Sequence, residues 1–303
     1  MRPYYVKRNK YYFKIEKQRI KKRVVLTAVF GAAIALLLSP AVGGFFRPSP
    51  LKSVTKSKVK RFALAGLKVD SKQEKESPAA HLPKVAIVID DVGYIQTFVP
   101  QFQNLEIPLT FSIMPCSTHG RKDAELFHSL GQEIILHLPM ENKSTQLSYG
   151  PGEVTTKMSD EQIITTLADD ISQTPHLKGI NNHEGKVATT DRRVINIVLK
   201  YAKDHGLFFL DSLTTPDSVV GQIQGELGMP KRVNDLFIDN RDNIGDVKTQ
   251  LQKLGDLAKK KGVAVGIAHI QRASTAQGIR EMAPVLKSQG IEFVFLSQIE
   301  RNR

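Results

Sequence analysis

The sequence holds a single cysteine, Cys116, among 303 residues. An intramolecular disulfide is therefore impossible and no cysteine-based zinc site can be assembled, so any metal must rely on histidines and carboxylates. Cys116 itself is expected to be a small buried residue rather than a nucleophile. Basic charge is also scarce where a nucleic-acid binder would need it. The whole chain carries a formal net charge of +13, but ten Lys/Arg against Glu16 fall within residues 1–23, and nine against Asp70, Glu74 and Glu76 fall within 47–82. Residues 83–303 are left near neutral with a slight acidic excess, which argues against a DNA or RNA partner. A composition of 41% hydrophobic and 24% charged residues excludes wholesale disorder and collagen-like repeats.

The third absence is local: residues 24–46, VVLTAVFGAAIALLLSPAVGGFF, carry no charge at all. As a helix this run would span roughly 34 Å, enough for a hydrocarbon core of about 30 Å. The basic flank of residues 1–23 keeps that end in the cytoplasm under the positive-inside rule and sends the remainder across. The expectation is a single-pass signal-anchor in the cytoplasmic membrane with the main domain extracytoplasmic, in the periplasm. The rival reading is a signal peptide, because Ser39-Pro40-Ala41 loosely fits a cleavage site and cleavage would release a secreted domain. Residues 47–82, rich in Lys, Ser and Pro, suit a flexible linker whose charge is either solvated or rests on anionic headgroups or an acidic wall polymer.

From Lys84 onward short apolar runs alternate with longer amphipathic stretches. The runs at 85–89, 109–114, 133–138, 178–181, 207–210, 236–238, 263–269 and 292–296 have the look of buried parallel strands, apolar on both faces. Helices are predicted over about 119–130, 191–204, 244–261 and 275–289, with another starting at a Ser159–Gln162 capping box. About eight β/α units suggest an irregular (β/α) barrel over residues 83–303, with an open doubly wound sheet as the alternative.

Polar residues recur where such strands end: Asp90 and Asp91, His137, Asn181, Asn182 and His183, Asp211, Asp239, and His269. In a parallel barrel those ends converge on one rim, so residues far apart in sequence become neighbours. Adjacent carboxylates repel one another, and a divalent cation relieves that cost while leaving one carboxylate free as a base. A carboxylate and two imidazoles form a three-ligand set with an open position for water. Asp91, His137 and His183 are the candidate ligands of one divalent ion, zinc being the choice that suits imidazole and carboxylate without thiolate, and Asp90 is the candidate base. The competing reading of Asp90-Asp91 is a strand-to-helix turn capped by Asp, and Asn181 and Asn182 could equally build a turn around His183.

These segments resemble the divergent branch of the polysaccharide deacetylase family. VAIVIDDVG resembles its first motif, which implies Asp90 as base and Asp91 as ligand. LGQEIILHLPME resembles the second, a His-Ser/Thr-x-x-His pattern in which His137 takes the first position and Glu141 departs from the second. GINNHEG is characteristic of the divergent branch and implies His183 as the replacement imidazole, so that Glu141 is a distant ligand, a surface residue or, the reading preferred because carboxylates often hold a ligating histidine in one tautomer, a partner of an imidazole. LDSLTT and VGIAHI resemble later motifs, which implies that Asp211 lines the pocket and that His269 serves as acid or orienting group; Asn181, Asn182 and Asp239 belong to the same pocket or its support. The Arg-containing third motif of ordinary deacetylases is not recognisable, and Glu184, Lys186 and Ile270 also depart from the expected pattern.

The resemblance implies a polysaccharide deacetylase-type barrel and metal-dependent hydrolysis of the N-acetyl group of an extracytoplasmic amino-sugar glycan such as peptidoglycan. Two other readings stay open. One is a non-catalytic envelope scaffold or glycan-binding protein that keeps the fold and works with a wall-remodelling partner; the other is a different metal hydrolase on a similar barrel.

Overall fold

The computed structural model describes residues 82–142 and 152–299. The basic segment 1–23, the uncharged run 24–46 and all but the last residue of the linker 47–82 lie outside the described residues. Among those described, no helix is long and apolar enough to cross a membrane.

Among the described residues eight strands form, and each coincides with one of the apolar runs: β1 Lys84–Val92, β2 Thr110–Ile113, β3 Glu133–Met140, β4 Leu177–Glu184, β5 Phe208–Leu210, β6 Leu236–Phe237, β7 Val263–His269 and β8 Glu292–Phe293. Between them lie α1 Val99–Phe102, α2 Gly120–Ser129, α3 Asp160–Gln173, α4 Arg192–Asp204, α5 Val220–Glu226, α6 Ile244–Lys261 and α7 Ala273–Ser288. The capping box forms as expected: Ser159 N donates to Gln162 Oε1 at 2.8 Å and Gln162 N to Ser159 Oγ at 3.2 Å. The α4 helix begins at the Asp191 cap, whose carboxylate accepts from Val194 N at 3.0 Å, and then buries Val194, Ile195, Val198, Leu199 and Ala202 along one stripe. Burying a large aliphatic side chain contributes about 1.5–3 kcal/mol, so this stripe and not the helix's polar face fixes it to the sheet. Gly262 ends α6 with φ +84°, a conformation that costs a residue bearing Cβ.

All strand pairs are parallel, in the order β5-β4-β3-β2-β1-β7-β6. The sheet therefore departs from a regular eight-stranded ring in two places. The eighth strand does not insert between β7 and β1; it pairs with Lys84 and Val85, on the half of β1 that β2 leaves free by pairing only from Val88 onward. Nor is there a ladder between β5 and β6: a single bridge joins Asp211 to Val233. The cause is strand length, since β5 and β6 have three and two residues and cannot sustain a ladder.

Alternation along the strands divides the core. On β1, Val85, Ile87 and Ile89 join the apolar layer beneath α6 and α7, whereas Ala86 and Val88 meet Ile135, Leu210, Val265 and Ile267 on the other face. That second face is the concave one. At Gly179 of β4 a Cβ would stand 2.3 Å from the ring of Phe208, so close packing of the β4–β5 pair requires glycine there.

Candidate metal centre

The concave row continues past the apolar residues into polar ones. Two residues beyond Val88 is Asp90, two beyond Ile135 is His137, and two beyond Ile267 is His269; a strand period of two sends all three side chains to the same face. The same row on β2 and β4 supplies Ser112 and Asn181, which hydrogen-bond each other at 2.5 Å.

By this parity Asp91 should point the opposite way from Asp90. It does not, because the ladder between β1 and β2 slips between Ile89 and Val92: three steps on β1 match two on β2. Asp91 occupies the extra position with φ +62°. This bulge lets two consecutive carboxylates serve one site. Glu184 after His183 and Leu213 after Ser212 also have positive φ, 54° and 52°, so backbone strain gathers at the ends of β1, β4 and β5.

Three donor atoms converge there. Asp91 Oδ1 lies 3.2 Å from His137 Nε2 and 3.1 Å from His183 Nδ1, and those two nitrogens are 3.0 Å apart. Ligands at about 2.0–2.1 Å on a tetrahedron stand roughly 3.3 Å from one another, so the triangle is close to the size one face of a zinc site requires. Asp91 Oδ1 is buried without a hydrogen-bond partner of its own. Asp91, His137 and His183 are the one metal-capable group of His, Cys, Asp and Glu among the described residues.

Asn181 sets the protonation pattern. Its Nδ2 donates to Asp90 Oδ1 at 2.9 Å and Oδ2 at 3.2 Å, which turns its Oδ1 toward His137 Nδ1 at 2.8 Å. An amide oxygen only accepts, so Nδ1 of His137 carries hydrogen and Nε2 presents its lone pair to the Asp91 and His183 donors when the ring is neutral. Size, donor type and tautomer all fit a divalent ion.

The electrostatics separate the two aspartates. Burial raises Asp90, and although His137, His269 and Asn181 pull downward its carboxyl stays above the usual range. Burial also pushes Asp91 upward, but the imidazoles of His137 and His183 beside it reverse the sign and hold it well below. Burial lowers His137 while Asp90 and Asp91 lift it above normal overall, so a proton and an ion compete for this ring.

His269 faces Asp90 across the β1–β7 ladder. Its Nδ1 lies 2.8 Å from Asp239 Oδ1, its backbone N donates to Asp239 Oδ2 at 2.7 Å, and Thr275 Oγ1 donates to the same oxygen at 2.6 Å. Burial depresses this imidazole, but Asp239, Asp91 and Asp90 outweigh it and push it up to about 9.

Several expected members do not touch the three donor atoms. Glu141 is not the partner of His137, whose Nδ1 belongs to Asn181; Glu141 Oε2 accepts from Thr156 N at 2.7 Å and Thr156 Oγ1 at 2.6 Å, holding the chain after β3 to the segment before α3. Asp211 spends its oxygens on Leu213 N and Ser218 Oγ, shaping the loop after β5. Asn182 accepts from Ser212 N and donates to Glu184 O, tying β4 to β5. Cys116 is exposed, contrary to expectation, because it sits with φ +54° in the turn that follows β2. Three contributors went unrecognised in the sequence: Ser112, Ser212, which accepts from Asn181 Nδ2 at 3.3 Å, and Gln271, which donates to Asp91 Oδ2 at 2.6 Å. Ser112 had a signal, being a hydroxyl inside an apolar strand; Gln271, in a turn, had none.

The domain is thus a curled parallel α/β sheet that carries an Asp-His-His cluster at the carboxyl ends of its strands. The chain belongs to the divergent polysaccharide deacetylase family, whose sequence profile matches residues 87–299. It is 30% identical over 189 residues to the uncharacterized protein YibQ of Escherichia coli K12, a match spanning 61% of this chain and 58% of the other. It is 28% identical over 222 residues to an uncharacterized protein of Haemophilus influenzae, covering 72% and 77% of the two chains. Among solved structures, an uncharacterized Agrobacterium tumefaciens C58 protein superposes with a TM-score of 0.69 at 22% identity, over 72% of this chain and 89% of that one. At that identity the likeness speaks for the fold alone.

Proposed function

We propose that the domain is a metal-dependent hydrolase that removes N-acetyl groups from an amino-sugar glycan outside the cytoplasmic membrane. The observation that carries this reading is the pairing of a three-donor cluster with a separate, non-ligating Asp90, joined through the one side chain of Asn181. A divalent ion bound by Asp91, His137 and His183 would polarise the acetyl carbonyl and acidify water. Asp90, a carboxylate whose affinity for protons is raised by burial, is suited to take a proton from the attacking water as the carbon–oxygen bond forms. Asn181 keeps that carboxylate and the His137 ring in fixed relation through both changes of charge. His269, protonated and braced by Asp239, is suited to deliver a proton to the amine as the carbon–nitrogen bond breaks, giving acetate and a free amino sugar.

The extracytoplasmic, membrane-tethered location rests on the basic flank and the uncharged run of residues 24–46, and it makes peptidoglycan or an exported polysaccharide the accessible glycan. The test is metal analysis of protein purified without chelator, together with acetate release from N-acetylated wall glycans. Uptake of one divalent ion and release of acetate are expected. A protein that holds its metal but releases no acetate from any amino-sugar polymer would instead be the envelope scaffold. A reporter joined after residue 82 and active only in the cytoplasm should be silent.

A further inference from the structure

The turn after β7 is closed by Arg272 N donating to His269 O at 3.3 Å and is fastened to β1 by Ile270 N donating to Asp90 O at 3.0 Å. That fastening brings Gln271, 180 residues distant in sequence, against Asp91, where its Nε2 donates to Oδ2 at 2.6 Å. The amide's other end is less well served. Gln271 Oε1 is buried and has no hydrogen-bond partner, a disfavoured state for an acceptor. Packing alone would favour an apolar side chain here, whereas the amide retains one short bond to one oxygen of one carboxylate.

That carboxylate is divided between two tasks. Oδ1 stands 3.1–3.2 Å from the two imidazole nitrogens, and Oδ2 is taken by Gln271. We propose that Gln271 is a positioning residue that restricts Asp91 to one-oxygen coordination, keeping Oδ1 toward His137 and His183 and withholding Oδ2. This rests on the metal reading above and deepens it. A carboxylate binding through both oxygens would use a coordination position that hydrolysis needs for water and substrate.

The test uses the full-length protein in detergent, as wild type, Gln271→Met and Gln271→Asn. Met has similar reach without a donor, and Asn keeps the amide but falls one methylene short. Zinc dissociation is measured by chelator competition, and the coordination number by the visible absorption of the cobalt(II)-loaded protein. Both variants should bind zinc about tenfold or more weakly, and their cobalt bands should lose intensity as Asp91 turns to two-oxygen binding. A purely structural role for Gln271 would leave the cobalt spectrum of the folded variant unchanged, and should Met prevent folding, Asn carries the same expectation. If wild type loads metal and the variants match it in dissociation constant and spectrum, the assignment to Gln271 is wrong while the metal site stands. If wild type takes up neither zinc nor cobalt, the metal reading and this inference both fall.

Discussion

Two Asp-Asp dipeptides occur in this domain, Asp90-Asp91 and Asp169-Asp170, and they behave in opposite ways. The first ends a strand on a bulge, so both side chains reach one polar cluster, and imidazoles pull Asp91 well below its ordinary range while burial lifts Asp90. The second lies within α3, where successive residues point about 100° apart: Asp169 is exposed, whereas Asp170 is buried and pushed up to about 8 by desolvation and by its neighbour's charge. Among the described residues no His, Lys or Arg contributes to the Asp170 shift. Paired carboxylates are thus no signal of chemistry by themselves. What distinguishes the first pair is the convergence of neutralising groups from β3, β4 and β7.

The comparison breaks most completely if that convergence is removed. His137→Ala deletes the donor that touches both aspartates, and bound metal should fall to background, with hydrolysis lost along with it; elemental analysis of the purified variant checks this. Asp90→Asn should be the next largest effect. Its amide oxygen can still accept from Asn181, so the metal should remain while the rate falls by about 10²–10⁴; full acetate release would show that Asp90 is not the base. Asn181→Ala removes the tie between base and ligand without removing either, and a loss of about 10- to 100-fold in metal affinity is expected from a calorimetric titration.

How far the sequence revealed this contrast depends on the period being read. The apolar runs ending at Ile89, Leu136 and Ala268 locate the strands, and a period of two continued to the next residue places Asp90, His137 and His269 on a common face. It also predicts the wrong side for Asp91, because a bulge leaves no mark in an apolar pattern; its role as a ligand was readable only from the chemistry of paired carboxylates at a strand end, which the resemblance to a known motif then supports. Helices α3, α4 and α6 were legible through caps and stripes, while the short α1 and α5 lacked the two turns that make a stripe visible. The strand order was beyond reach for a physical reason: β8 leaves the ring because β2 pairs only with the far half of β1, a matter of register rather than composition. Glu141 shows the complementary error. Carboxylates often hold a ligating histidine in one tautomer, but Glu141 follows an extended strand, which carries its side chain well along the chain from His137, to Thr156.

The smallest effect on function, and the sharpest test of the contrast, comes from Asp170→Asn. The folded carboxyl titrates near 8 against an ordinary value of 3.8, with Oδ2 buried and unpartnered. Because the folded value is raised, the protonated form is the one the fold accommodates: its contribution to stability is complete below pH 3.8 and is lost as pH climbs through about 8. The neutral amide removes that penalty. Asp170→Asn should therefore be more stable than wild type at pH 8, by an amount on the order of a few kcal/mol, and the difference should shrink toward zero near pH 4, as chemical denaturation at the two pH values would reveal. Metal content and hydrolysis should not change. An equivalent gain on neutralising Asp91 is not expected, since its charged form is the one its neighbours stabilise; if Asp91→Asn stabilised the protein at pH 8 as Asp170→Asn does, the two pairs would not differ in kind.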